Sequence, residues 1–124
     1  MSRSLVVEDN KIFRETLKKA LNAYFPSMEV EEVADGKGVM KIVKEKNFDI
    51  IFMDIQLPHE NGLDLTKKIK SIYPGITIII ITEYDSSEYR KAASQADADF
   101  FFSKTDLKTN EIIKAIESIL YDNN

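Results

Sequence analysis

The sequence predicts a single α/β domain: five β-then-α units that form a parallel five-stranded sheet with helices on both faces. Three observations carry this. Short apolar runs alternate with helix-like segments from one end of the 124 residues to the other. Two of those runs, residues 50–53 and 76–81, are almost continuously apolar, as inner parallel strands covered on both faces must be. No Gly/Ser linker or low-complexity stretch divides the chain, and its length suits one domain that buries its own core.

The elements follow in chain order. Residues 5–7 form a first strand, and Asn10 caps a first helix whose apolar face is Phe13, Leu17, Ala20, Leu21 and Tyr24. Pro26 closes that helix, because the residue before a proline resists the α conformation. Residues 28–33 are half polar, which suits an edge strand, where charge also discourages unwanted pairing. Val39, Met40, Ile42 and Val43 mark a second helix, and residues 49–53 a third strand. Leu63, Leu65, Ile69 and Ile72 mark a third helix, closed by Pro74 ahead of the fourth strand at 76–81. Asp85-Ser86-Ser87-Glu88 supplies a capping oxygen and a first-turn acid for the fourth helix. Its face, Tyr89, Ala92, Ala93 and Ala96, is small and grips weakly. A fifth strand at 98–102 precedes a last helix with Ile112, Ile113, Ile116, Ile119 and Leu120 on one side.

Composition removes several functions. Without cysteine there is no disulfide, thiolate metal site or Cys nucleophile. The first apolar run has three residues, against the about 7–15 of a signal-peptide core. The aliphatic stretch at 76–81 falls far short of the roughly 20 residues of a membrane helix. The expectation is a soluble, cytoplasmic protein with no membrane contact. A net charge of −4 gives no general pull toward nucleic acid. Lys67, Lys68 and Lys70 read as a solvated helix face, and His59, the single histidine, as a plain loop residue.

In a doubly wound sheet the ligand crevice lies at the carboxyl ends of the strands. The first strand ends in Glu8-Asp9, the third in Asp54 and the fourth in Thr82, and Lys104 follows the fifth. Three carboxylates in one crevice repel each other by about 4 kcal/mol per pair at about 4 Å and an effective dielectric of about 20. A hard divalent ion such as Mg²⁺ offsets this with oxygen ligands, waters and a phosphate oxygen. Lys104 adds a compact positive charge and Thr82 a hydroxyl donor. A carboxylate with such neighbours is equipped for phosphoryl transfer, in which positioning and charge neutralisation do most of the catalysis. Taken singly, each residue also reads as turn, cap or surface chemistry; together they make Asp54 a phosphoryl acceptor.

The chain resembles the receiver domain of two-component response regulators across nearly its whole length. The resemblance rests on Leu-Val-Val-Glu-Asp-Asn at 5–10, Phe-Asp-Ile-Ile-Phe-Met-Asp-Ile-Gln-Leu-Pro at 48–58 and Gly62. It continues in Ile-Ile-Ile-Ile-Thr at 78–82 and Ala-Asp-Phe-Phe-Phe-Ser-Lys at 98–104. The Asp54, Pro58 and Gly62 spacing is specific. The resemblance implies a (βα)5 flavodoxin/CheY-like fold with strand order 2-1-3-4-5. Residues 1–124 are then one receiver domain, with its core at about 4–121 and no output domain in this stretch. It implies Asp54 as phosphoacceptor and Mg²⁺ (or Mn²⁺) held by Glu8, Asp9, Asp54 and the backbone carbonyl of Gln56. Thr82 and Lys104 would hold phosphoryl oxygens, and Phe101 would be the switch aromatic, here without a hydroxyl. Gln56, Tyr84 and Glu83 would tune the lifetime of the phosphoryl group. The implied partners are a histidine kinase or phosphotransfer protein as donor, and a possible homodimer through the fourth helix, fifth strand and fifth helix. The implied protein is a switch that assists its own phosphorylation and dephosphorylation and is not otherwise an enzyme.

Three departures from the family pattern stand out. Glu83 occupies a usually small position, where it either crowds the pocket or points to solvent. Thr105 stands where many receivers have Pro, and Asp97 where Gly is common. The polar residues 121–124 suit the start of a linker. Three other readings compete. A flavodoxin-like cofactor binder needs a Gly- and hydroxyl-rich phosphate cradle after the first strand, where Glu8-Asp9-Asn10 stands. A phosphohydrolase needs a second acid or base beside Asp54, where Ile55 and Gln56 offer none. A degenerate receiver would bind partners without phosphorylation, against the presence of all five key residues.

Overall fold

A computed structural model describes residues 2–121. The linker reading at 121–124 therefore falls, beyond Tyr121, outside the described residues. Strands β1 (Arg3–Val7), β2 (Glu29–Val33), β3 (Ile50–Met53), β4 (Thr77–Thr82) and β5 (Phe100–Ser103) form one sheet. Its order is β2-β1-β3-β4-β5 and every pairing is parallel. Helices α1 (Lys11–Tyr24), α2 (Val39–Glu45), α3 (Gly62–Ile72), α4 (Ser87–Gln95) and α5 (Thr109–Tyr121) connect and follow them, with a single 3-10 turn at Gly36–Gly38 before α2. This is the doubly wound five-stranded architecture, in strand order 2-1-3-4-5, expected from the sequence.

The strand period of two divides the core. Leu5, Val7, Ile51, Met53, Ile78 and Ile80 pack under α2, α3 and α4 through Val39, Val43, Leu65, Ile69 and Ala93. Val6, Ile50, Phe52, Ile79 and Ile81 face α1 and α5 through Leu17, Leu21, Ile112 and Ile116. β2 lies at the edge, and its acids are paired: Glu31 with Lys46, Glu32 with Arg14 and Lys18, Glu29 with Arg3.

Two caps form where the sequence places them, at Asn10 and Ser86, and Asn61 supplies a third. Asn10, Asn61 and Ser86 each accept a backbone N–H of the first turn of α1, α3 and α4. Three helix-face assignments need correction: Tyr89, in the first turn of α4, is exposed at 37%. Tyr24 and Ile72 are exposed, at 58% and 59%, because each ends its helix, beyond the reach of the sheet. The weak grip of α4 is real: Ala93 is its only buried residue. Asp97, in the position where Gly is common, adopts the left-handed conformation at φ 69°. It completes a Schellman end to α4, with the Asp97 N–H on Ser94 O and the Ala98 N–H on Ala93 O.

Candidate functional site

Four of the five strand-end residues are placed by the simplest means available. Glu8 directly follows β1, Asp54 follows β3 and Lys104 follows β5, while Thr82 is the last residue of β4. The backbone carries the sheet pattern through them: Asp54 N donates to Val7 O, and Lys104 N to Thr82 O. All four residues stand at the same edge of the sheet, and Asp9, exposed beside Glu8, is the fifth and adds a third carboxylate.

The centre of the site is an ammonium between two carboxylates. Lys104 Nζ lies 2.7 Å from Glu8 Oε1 and 3.1 Å from Asp54 Oδ2, with all three side chains at 10% exposure or less. The second Glu8 oxygen accepts the Asn10 N–H at 2.9 Å. Asp54 Oδ1 is buried and has no hydrogen-bond partner, alone in this among the described side chains. Buried polar atoms are nearly always satisfied, so an orphaned carboxylate oxygen marks a place where a ligand belongs. Burial pushes the Glu8 carboxyl above its usual range, even against the bonds from Lys104 and the Asn10 N–H. Burial also opposes the charge on Lys104, but the bonds and charges of Glu8 and Asp54 outweigh it and raise its pKa.

An open cavity of about 270 Å³ covers these groups, lined by Glu8, Asp9, Asn10, Asp54, Gln56, Glu83, Tyr84 and Lys104. Glu83 is exposed, in line with the second of its two alternatives, and it also lines the rim of the pocket. Carboxylate oxygens of Glu8, Asp9 and Asp54 come within 4.8 Å of one another. This all-oxygen donor set, facing one ammonium and containing the orphaned Oδ1, fits a hard divalent cation.

Thr82 is fully buried, and its hydroxyl accepts the Tyr84 N–H at 3.2 Å instead of lining the cavity. Phe101 is half-buried on the α4 side of the sheet, with the Arg90 guanidinium 4.7 Å above its ring. His59 is exposed, as expected of a loop residue, but it is also at φ 66° and bonded through Nδ1 to Asp35 at 2.7 Å.

The floor of the site is backbone. A Cβ at Gly62 would lie 1.9 Å from the carbonyl oxygen of Asp54 and 2.9 Å from the Ile55 Cα. The Gly62 N–H donates to Ile55 O at 2.7 Å, so the 54–62 loop closes on itself through a residue that has to be glycine.

Sequence reasoning missed several supporting residues. The Phe13 ring lies 4.5 Å from Lys104 Nζ and holds it by a cation–π contact. Arg14 donates to the Glu8 carbonyl at 2.8 Å. Asp85 Oδ2 accepts from Ser103 Oγ at 2.6 Å and Thr105 Oγ1 at 3.1 Å, on either side of Lys104. Those two hydroxyls hold the Asp85 carboxyl below its usual range. Thr105 had been visible only as a departure from a pattern.

Known proteins share the sequence pattern and the fold of this chain. The family model of the response regulator receiver domain matches residues 4–117. The chain is 27% identical over 116 residues to the transcriptional regulatory protein DegU of Brevibacillus brevis, covering 93% of this chain and 48% of that one. It is 30% identical to the uncharacterized transcriptional regulatory protein YxjL of Bacillus subtilis, covering 94% of this chain and 53% of the relative. The chain therefore spans about half the length of these curated relatives. Among solved structures, a CheY-like receiver domain protein from Methanospirillum hungatei JF-1 superposes with a TM-score of 0.88 at 26% identity, over 98% of this chain and 95% of that one.

Proposed function

The chain belongs to the response regulator receiver domain family of two-component signalling, and from that premise we propose that it is a cytoplasmic switch phosphorylated on Asp54. In two-component systems such domains take their phosphoryl group from a histidine kinase. The observation that carries the reading is the asymmetry of the Asp54 carboxylate. Oδ2 is held by Lys104 at 3.1 Å, while Oδ1 is buried without a partner. One oxygen is oriented and the other keeps its lone pairs free.

Transfer then needs little rearrangement. A lone pair of Asp54 Oδ1 forms a bond to phosphorus as the P–N bond of a phosphohistidine donor breaks. The electron pair returns to the imidazole, whose other ring nitrogen carries the proton that lets it leave neutral. Glu8, Asp9 and Asp54, with the carbonyl of Gln56, would hold Mg²⁺ or Mn²⁺, which neutralises the charge gathered there. Lys104, already between Glu8 and Asp54, adds its own charge without long travel. Thr82 donates its hydroxyl to a phosphoryl oxygen. Gln56, Glu83 and Tyr84 border the cavity and control how water reaches the acyl phosphate. Phe101, beside α4, reports the change to the α4–β5–α5 face, where a partner or a second copy binds. Residues 1–124 act as one receiver domain and touch neither nucleic acid nor membrane. Among the described residues, no helix is long and apolar enough to cross a membrane.

The test is incubation with Mg²⁺ and a small acyl-phosphate donor, followed by intact mass. The wild type should gain one phosphoryl group only when the cation is present, and Asp54→Asn should gain none. An adduct that ignores Mg²⁺, or that persists in Asp54→Asn, overturns the assignment.

A further inference from the structure

We infer that Asp85 is a positioning residue: it clasps the β4–α4 loop to the segment carrying Lys104 and so holds the site in its resting form. The inference rests on the reading of Asp54 as phosphoacceptor and adds to it a control element outside the pocket. Its basis is a compact polar cluster. Asp85 Oδ2 receives the Ser103 hydroxyl at 2.6 Å and the Thr105 hydroxyl at 3.1 Å. The two hydroxyl oxygens lie 2.6 Å apart, and the Thr105 N–H donates to Ser103 Oγ at 3.2 Å. Ser103 is 5% exposed, so its hydroxyl depends on these partners. Ser103 and Thr105 flank Lys104, and Asp85 lies three residues beyond Thr82. One carboxylate therefore ties together the two chain segments from which the phosphoryl-binding groups project.

The clasp opposes any shift of the β4–α4 loop that would carry the Thr82 hydroxyl toward the site. The Thr82 hydroxyl is engaged by the Tyr84 N–H and does not line the cavity. That N–H helps to fix the direction of the hydroxyl, and Asp85 anchors the far end of the 83–85 segment that carries it. The anchor extends outward as well. Arg90 Nε donates to the Asp85 carbonyl at 3.2 Å, and the same guanidinium covers the Phe101 ring. Loop, α4 and the β5 aromatic are joined through one residue. Charge-assisted hydrogen bonds present only in the resting form lower the apparent affinity for anything that binds the shifted form.

The experiment uses beryllium fluoride, which mimics an acyl phosphate on a carboxylate, titrated in saturating Mg²⁺ and followed by ¹⁹F NMR. Asp85→Ala should bind the probe roughly three- to tenfold more tightly than wild type. Asp85→Asn, which keeps an accepting oxygen without the charge, should fall between them. The pair Ser103→Ala and Thr105→Val, made together, should reproduce Asp85→Ala, and serves if that variant fails to fold. A purely structural role lowers the melting temperature and leaves affinity the same or weaker, and that outcome overturns the clasp. A wild type that does not bind the probe overturns the phosphoacceptor reading instead.

Discussion

Lys104 and Lys70 are the same side chain at opposite ends of the sheet, almost equally buried at 10% and 11% exposure. Their surroundings differ in one respect. Lys70 gives its ammonium to Pro74 O, Ile76 O and Asp99 Oδ2, at 3.1, 2.9 and 3.0 Å, and Asp99 Oδ2 also accepts the Ile78 N–H. One charge meets one charge, and backbone carbonyls take the remaining protons. Lys104 instead faces Glu8 and Asp54, with Asp9 nearby, and leaves Asp54 Oδ1 without a partner. The first arrangement is a completed staple between α3 and the starts of β4 and β5. The second sets three carboxylates against one ammonium and leaves one carboxylate oxygen free, as the proposed metal-assisted phosphorylation would need. Burial of a lysine does not distinguish structure from function; the balance of its partners does.

The largest expected effect breaks the site end of this comparison. Gly62→Ala places a methyl group 1.9 Å from the Asp54 carbonyl oxygen, and that neighbour is backbone. It should cost about 3 kcal/mol or more in a urea melt, and the surviving folded fraction should lose Mg²⁺-dependent labelling. Wild-type stability would show that the loop yields and that the close approach is not needed.

A pair of neutralising substitutions sharpens the contrast. Asp54→Asn removes excess negative charge while Lys104 keeps Glu8, so in metal-free buffer stability should rise by about 1 kcal/mol. Asp99→Asn weakens a complete staple, so stability should fall by about 1–2 kcal/mol. Shifts of the same sign in both variants would erase the distinction between the two ends.

The smallest effect belongs to β2, where neither regime applies. Hydrogen bonding to Lys18 leads the causes that hold the Glu32 carboxyl below its usual range. Its contribution is present above the unfolded carboxyl value of about 4.3 and is lost as pH falls through the lower folded value. Glu32→Gln should therefore flatten the acid limb of the stability curve by about 0.5 kcal/mol and leave labelling unchanged. A larger change at acid than at neutral pH would contradict that sign.

Much of this was legible in the residues. The two continuous apolar runs, the half-polar edge strand and the helix caps follow from periodicity and local hydrogen bonding, which act within a few positions. Asp54 and Glu8 were legible as site residues because each is the first acid after a run of apolar strand residues. The supporting set was not. Phe13 under Lys104, Asp85 across Ser103 and Thr105, and Lys70 against Asp99 pair residues that are distant in the chain. Nothing in the local pattern of either partner announces the other. Tyr24 and Ile72 were misplaced for a related reason: helical spacing shows which side of a helix is apolar, not where the sheet beneath it stops.

Local pattern in the sequence set the five alternating units and the acids, hydroxyl and lysine at the strand ends. These depend on local propensity and on alternation along single strands. Only the tertiary structure decided that Lys104 bridges Glu8 and Asp54 while leaving one oxygen free, that Thr82 turns away to Tyr84, and that Asp85 spans two loops. Those facts are distances and directions between separate segments. They are set when parallel pairing aligns the strand ends and packing orients what projects from them.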